Sequence, residues 1–251
     1  MTGRLRDTWP LTWRDLGKLA GAYVALTLAF ILIGLPLRRS DEHRGIGRID
    51  HEISLWMVDH RDTTTNTLSF VGSGLADTIV KVVVTAAIVL TMLRVWHRWF
   101  EAAYVAIVLI LEASVFITVT FIVARPRPTV PHLETSEVTT SFPSGHTAAA
   151  VAYGAVAFVT FWHTRRRAPR AIACVVCTLI PIIVGVSRVH RGVHHTSDVV
   201  AGALLGLATL LITTRILVRA QERLETGPGG SSALPGRSAW GTPIDGVART
   251  R

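Results

Sequence analysis

AAYVAIVLILEASVFITVTFIV, residues 102–123, contains one ionisable side chain, Glu112. About twenty apolar residues at 1.5 Å per residue are enough to cross the ~30 Å hydrocarbon layer of a bilayer as a helix. Further apolar blocks lie on either side: about Leu19–Leu37, Phe70–Leu93, Gly145–Trp162, Ile172–Val186 and Val199–Ile216. The expected fold is all-α: a polytopic membrane protein built as a six-transmembrane-helix bundle. Residues 1–18 then form a polar N-terminal segment, 19–218 the six-span domain, and 219–251 a disordered tail rich in Gly and Pro. The first block is itself long enough to span, so no cleavable signal peptide is expected.

The formal charge is +9, and with Lys18 and Lys81 the only lysines the basic residues are almost all Arg. They cluster between the apolar blocks, which the positive-inside rule explains, and a nucleic-acid partner is not expected. The N-terminal segment, the turns at Arg94–Arg98 and Arg165–Arg170, and the Arg215/Arg219 end all fall on one predicted side. That side is assigned to the cytoplasm, with both termini there, in a bacterial-type plasma membrane. The first outer segment, from Arg38 on, also carries Arg, offset by Asp41, Glu42, Asp50 and Asp59. Apolar positions around Ile53, Trp56 and Met57 predict a short helix lying on the membrane surface.

Ionisable residues within spans usually face the bundle interior. Glu112 is read that way, and Asp77 and Lys81, four apart, as a pair on one helical turn. Cys174 and Cys177 lie in an apolar stretch without polar ligands nearby, so they are read as small packing residues.

The two remaining outer segments hold the reactive side chains. One carries Arg125, Arg127, Ser144 and His146; the other carries Arg188, His190, His194, His195 and Asp198. Arginine forks bind phosphate oxygens bidentately. Ser144-Gly145-His146 opens a predicted span, where free backbone N–H groups attract anions and Gly145 admits close approach. His194 and Asp198 are four apart at a helix start. A carboxylate on Nδ1 of His194 would fix the tautomer and leave Nε2 to attack phosphorus. His146 can protonate the departing alcohol and later activate water. His190 and His195 are read as wall or surface residues, since adjacent side chains rarely converge on one zinc ion. Ser144 lacks the preceding strand of a nucleophile elbow.

Pro143-Ser144-Gly145-His146, followed by Ser187-Arg188, five residues, His194, three residues and Asp198, resembles the motifs of the PAP2 (type 2 phosphatidic acid phosphatase) superfamily. The family's first motif, Lys-x6-Arg-Pro, is matched at Arg127-Pro128, but Thr120 stands where it has lysine. Counting from Arg125 gives Thr118, which does not restore it. The six-span pattern is similar to the membrane branch of the family.

The resemblance implies a six-span bundle of the PAP2 type that hydrolyses a lipid phosphomonoester or diphosphate through a phosphohistidine, without a metal or other cofactor. By the same resemblance His194 is the nucleophile, Asp198 its orienter and His146 the general acid and base. Arg127, Arg188, Ser144 and the Gly145 N–H hold the phosphoryl oxygens. Thr120 offers one hydroxyl in place of a cation, and Arg125 is the candidate to compensate. The implied substrates are phosphatidic acid, phosphatidylglycerol phosphate or undecaprenyl diphosphate, met at the outer membrane face. Competing readings are transfer of the phosphoryl group to an acceptor other than water, and a transporter. Against a transporter, the polar groups gather on one face, and no pair of interrupted helices repeats across two halves.

Overall fold

In the computed structural model, residues 11–96, 99–134 and 139–226 are described. Nine helices follow one another among them: α1 Trp13–Arg38, α2 Gly45–Asp59, α3 Thr63–Gly74, α4 Thr78–Trp96, α5 Trp99–Val123, α6 Gly145–Ala152, α7 Gly154–His163, α8 Arg167–His190 and α9 Thr196–Thr226. Four of them, α1, α5, α8 and α9, are long and apolar enough to cross a membrane. The fold is thus all-α and polytopic, as expected.

The exterior of these helices is apolar, with Leu32 71% and Phe121 88% exposed. Some polar side chains of the long helices pair with one another through hydroxyl groups, as a low-dielectric interior favours. Tyr23 meets Thr118 at 2.8 Å, and Tyr104 meets Thr214 at 2.6 Å. Thr118 is therefore occupied in packing α1 against α5. The buried Glu112 agrees with its interior assignment.

The start of α1 and the end of α9 share one end of the bundle. Asp15, fully buried, takes ion pairs from Lys18 (3.1 Å) and from Arg223. At the opposite end Arg38 Nη1 donates to Val123 O at 3.0 Å, tying the last turn of α1 to the last turn of α5. The loops after α5 and α8 lie at that second end, together with α2 and α3.

Several boundaries differ from the expected ones. The block Phe70–Leu93 is not one helix: α3, capped by Asp62 on Thr65 N (2.7 Å), stops at Gly74, and α4 restarts at Thr78. The surface helix begins at Gly45, so it takes in part of the charged segment. The block Gly145–Trp162 is interrupted at Tyr153, giving α6 and α7. Helix α8 extends through Ser187 to His190, which were expected in a loop. Helix α9 continues to Thr226, past the boundary expected at 218; hydrogen-bonded backbone and the Arg223–Asp15 pair carry it on. Residues 227–251, the rest of the expected tail, lie outside the described residues, as do residues 1–10 and the Lys81 side chain.

Two glycines set the distance between α6 and α9. A Cβ on Gly202 would collide with the Ser144 carbonyl, and one on Gly206 with the Ala148 carbonyl. Small residues four apart let two helix backbones approach closely within a membrane. Here they bring the helix carrying His146 against the helix carrying Asp198. Below the site, Val115, Val119, Phe142, Ala148, Ala201 and Leu205 form one buried apolar cluster across α5, α6 and α9.

Candidate active site

The reactive side chains sit at helix ends or in the segments joined to them. Arg188 is in the last turn of α8, and Asp198 is in the first turn of α9 with His194 just before it. His146 is in the first turn of α6. Arg127 belongs to the segment after α5, held by a bridge between Pro126 and Thr140.

His194 is 5% exposed, and its Nδ1 lies 2.7 Å from the carbonyl of Ser141. A carbonyl only accepts, so Nδ1 carries the proton and Nε2 keeps its lone pair. Asp198 Oδ2 is 3.9 Å from Nδ1, beyond a hydrogen bond. The orienter of His194 is thus a backbone carbonyl, not the expected Asp198. The carboxylate is engaged elsewhere: Oδ1 accepts from Arg125 Nη1 at 2.6 Å and Oδ2 from the His195 N–H at 2.9 Å. Burial holds the His194 imidazole well below its ordinary protonation range. Arg188, His146 and Arg127 push the same way, against a smaller opposing effect from Ser141. The ring is neutral.

Arg125 does not join the phosphate-binding groups. It is 2% exposed and lies between Asp198 and Asp50 (3.0 Å), with Ser197 Oγ at 2.8 Å. Two buried carboxylates on one guanidinium leave it no role as an anion clamp, so its expected compensation for Thr120 is not met. Thr120 Oγ1 is buried without a hydrogen-bond partner.

Arg127 and Arg188 share the space around His194, and each lies close enough to act on the other and on the ring. Arg188 Nη1 donates to Ser73 Oγ at 2.8 Å and to Glu134 Oε1 at 2.6 Å, while Glu134 Oε2 accepts from Arg191 Nε at 2.6 Å. Burial pushes the Glu134 carboxyl up, but Arg188 and Arg191 together pull it below its ordinary value. His146 Nε2 lies 3.3 Å from Asp77 Oδ1. Asp77, expected to pair with Lys81, therefore stands beside His146; the Lys81 side chain lies outside the described residues.

Ser144 is fully buried and caps α6: its hydroxyl meets Thr147 Oγ1 at 3.0 Å and its N–H donates to Asp198 O at 3.0 Å. Gly145 has a steric reason unrelated to anions, since a Cβ there would strike the Phe116 ring at 2.6 Å. His190 and His195 are both buried, meeting Asn66 Oδ1 (3.1 Å) and Pro126 O (3.3 Å), and serve the wall of the site. Burial lowers the protonation range of His195.

The structure brings together His146, Arg127, Arg188, His194 and Asp198, and it joins Arg125 to them only through Asp198. Sequence reasoning missed Ser141, Ser73 and Glu134, which contribute a backbone oxygen, a hydroxyl and a loop carboxylate with no spacing signal. Asp77 had a signal: it sits at the outer end of a span, on the membrane side of the motifs.

A profile of the PAP2 superfamily matches residues 99–222, which include both histidine motifs. The phosphatidylglycerophosphatase B of Bacillus subtilis (strain 168) is 36% identical over 87 residues. That alignment spans 34% of this chain and 42% of the relative's length. The crystal structure of a transmembrane PAP2-type phosphatidylglycerolphosphate phosphatase from Bacillus subtilis superposes with a TM-score of 0.69 at 23% identity, covering 78% of this chain and 96% of that one. Over residues 99–222 the chain is thus similar to the PAP2 superfamily, and its fold is that of a transmembrane PAP2-type protein.

Proposed function

We propose that the chain is a lipid phosphatase working through a phosphohistidine on His194. The observation that carries this reading is the Ser141–His194 bond, which leaves the Nε2 lone pair of a neutral imidazole beside Arg127 and Arg188. Nε2 attacks phosphorus, and the bond from phosphorus to the lipid oxygen breaks as protonated His146 gives that oxygen its proton. His146 then takes a proton from water, the hydroxide attacks phosphorus, the P–N bond breaks, and phosphate leaves with His194 restored. Arg127 and Arg188 neutralise the charge of the phosphoryl oxygens in both steps, so the mechanism needs no metal. Ser144 and the Gly145 N–H contribute through the α6 N-terminus they build.

A groove of about 510 Å³ supports a lipid as substrate. It lies between α4, α5 and α6, with Val82, Thr85, Ala106, Glu112, Ala149 and Tyr153 among its walls. His146, Ala149 and Tyr153 follow at helical spacing, i, i+3 and i+7, so the face bearing the general acid continues into the groove. The leaving oxygen carries the lipid, and the lipid therefore extends from the His146 side. Among phosphatidic acid, phosphatidylglycerol phosphate and undecaprenyl diphosphate, the relative's name puts phosphatidylglycerol phosphate first.

The membrane arrangement belongs to the same proposal. Six spans are formed by α1, α4, α5, α6 with α7, α8 and α9, in a bacterial plasma membrane. The termini are cytoplasmic and the site extracytoplasmic, supported by Arg14, Lys18, Arg94, Arg165, Arg170 and Arg219 at the end away from the site. The test is a phosphate-release panel of lipid mono- and diphosphates in detergent, with and without EDTA. Release that survives EDTA and disappears in His194→Ala is expected; a chelator-sensitive activity contradicts the mechanism.

A further inference from the structure

Helix α2 is amphipathic in an unusual sense. Gly47, Asp50 and Ser54, at i, i+3 and i+7, are buried against the protein, while Ile46, Ile49 and Trp56 are more than half exposed. The polar face points inward and the apolar face outward, which suits a helix set in the lipid interface. A charge on the inward face must be compensated to be buried. Asp50, 2% exposed, is compensated three times over. Its Oδ1 accepts from the Ser197 N–H at 2.9 Å, and its Oδ2 accepts from the Ser197 hydroxyl and from Arg125 Nη2 at 3.0 Å.

These bonds continue into both halves of the site. Arg125 holds Asp198 at 2.6 Å, and Asp198 holds the His195 N–H at 2.9 Å, next to His194. The Asp198 carbonyl accepts from Ser144 N at 3.0 Å, two residues before His146. One carboxylate on α2 thus anchors the segment of the nucleophile and, through Asp198, that of the general acid.

We propose that Asp50 is a positioning residue for catalysis, fixing the His194–Asp198 turn through Ser197 and Arg125. This rests on the phosphatase reading above. Without the Asp50 charge, Arg125 keeps a single carboxylate and the Ser197 amide loses its anionic acceptor, so the turn bearing His194 gains freedom. Attack on phosphorus then starts from a broader range of Nε2 positions, and a misplacement of about 1 Å costs up to ~100-fold in rate.

The test uses the full chain in lipid nanodiscs with a ³²P-labelled lipid phosphate and an alkaline quench, which preserves phosphohistidine. Burst amplitude counts competent sites, and the burst rate constant reports attack at each site. Asp50→Asn is expected to keep the wild-type amplitude while the rate constant falls roughly tenfold or more, with KM within about twofold. Arg125→Met is expected to slow the same step, and the double variant to be no slower than the slower single one, because both remove one support.

An Asp50→Asn protein with fewer sites, each reacting at the wild-type rate, overturns the proposal and makes Asp50 a stability residue only. Fully additive effects overturn it as well. Should Asp50→Asn not fold, Ser197→Ala removes one of the three bonds, and a burst rate unchanged from wild type there also overturns it. Absence of any burst in the wild type overturns the phosphatase reading and Asp50's role with it.

Discussion

The Nδ1–H of His194 donates to the carbonyl of Ser141 at 2.7 Å, while the carboxylate of Asp198 stands 3.9 Å away and is bound to Arg125. Backbone geometry therefore fixes the tautomer of the nucleophile, and the buried Asp198–Arg125–Asp50 group fixes the backbone. The two tasks are separable by mutation.

Asp198→Ala leaves Arg125 buried with one carboxylate fewer, and breaking a buried pair of this kind costs about 3–5 kcal/mol. Ser141→Ala keeps the carbonyl and loses the hydroxyl, which donates to Pro126 O at 2.9 Å with Arg125 O at 3.4 Å, for about 1 kcal/mol. Thermal unfolding in detergent is expected to show a large loss for Asp198→Ala and a small one for Ser141→Ala. Ser141→Ala should keep most of the wild-type turnover.

Burial, reinforced by Arg188, His146 and Arg127, lowers the protonation range of His194 below its ordinary value of 6.5. The nucleophile is then neutral both at neutral pH and some way below 6.5. The acid limb of kcat/KM that belongs to His194 should fall below that value, after allowance for the second ionisation of the substrate phosphate near pH 6. The stability consequence has the same sign. The unfolded chain binds the proton first, so stability falls as pH drops below about 6.5. Rate profiles with substrates of known phosphate ionisation, and unfolding at graded pH, check both.

General acid catalysis by His146 contributes about 10²–10⁴-fold for a poor leaving group such as a lipid alcohol. His146→Ala is expected to lower kcat/KM, which reports the phosphorylation step, by that order on a lipid phosphate and by far less on p-nitrophenyl phosphate, whose leaving group departs without a proton; hydrolysis of the shared phosphohistidine slows equally for both. Asp77→Asn, which weakens the 3.3 Å contact to His146, should change lipid turnover in the same direction by about threefold. Equal losses of kcat/KM on both substrates would remove His146 from the leaving-group side.

The groove between α4, α5 and α6 makes chain length a separate variable. Ala113 lines it away from the catalytic side chains, and Ala113→Leu fills part of the space. Activity on a long-chain lipid phosphate is expected to drop about tenfold, as displacing roughly two CH₂ groups at ~0.8 kcal/mol each would do. A short-chain analogue should be turned over at the wild-type rate.

The all-α, polytopic character and the two histidine motifs were legible in the sequence because hydropathy over twenty residues and fixed motif spacing are local signals. Breaks inside apolar blocks were not. Leu75-Ala76-Asp77 and Tyr153 interrupt helices in sequence that is apolar on both sides, so hydropathy cannot mark them. That His146, Arg127, Arg188, His194 and Asp198 lie together was legible, and their wiring was less so. Spacing puts His194 and Asp198 on one face, yet the cation at Arg125 draws the carboxylate away and Ser141 takes its place. Arg125 beside Arg127 looks like a doubled clamp in sequence. Its role is set by Asp50, 75 residues away in the chain. Gly145 stands in its motif for an anion's approach, while its lack of a side chain is also demanded by Phe116.

Trapping the intermediate tests the nucleophile directly. After rapid mixing with a ³²P-labelled lipid phosphate and an alkaline quench, peptide mapping should find the label on His194, with none in folded His194→Ala, which also releases no phosphate. Label on another residue, or phosphate release that persists in His194→Ala, would contradict the mechanism.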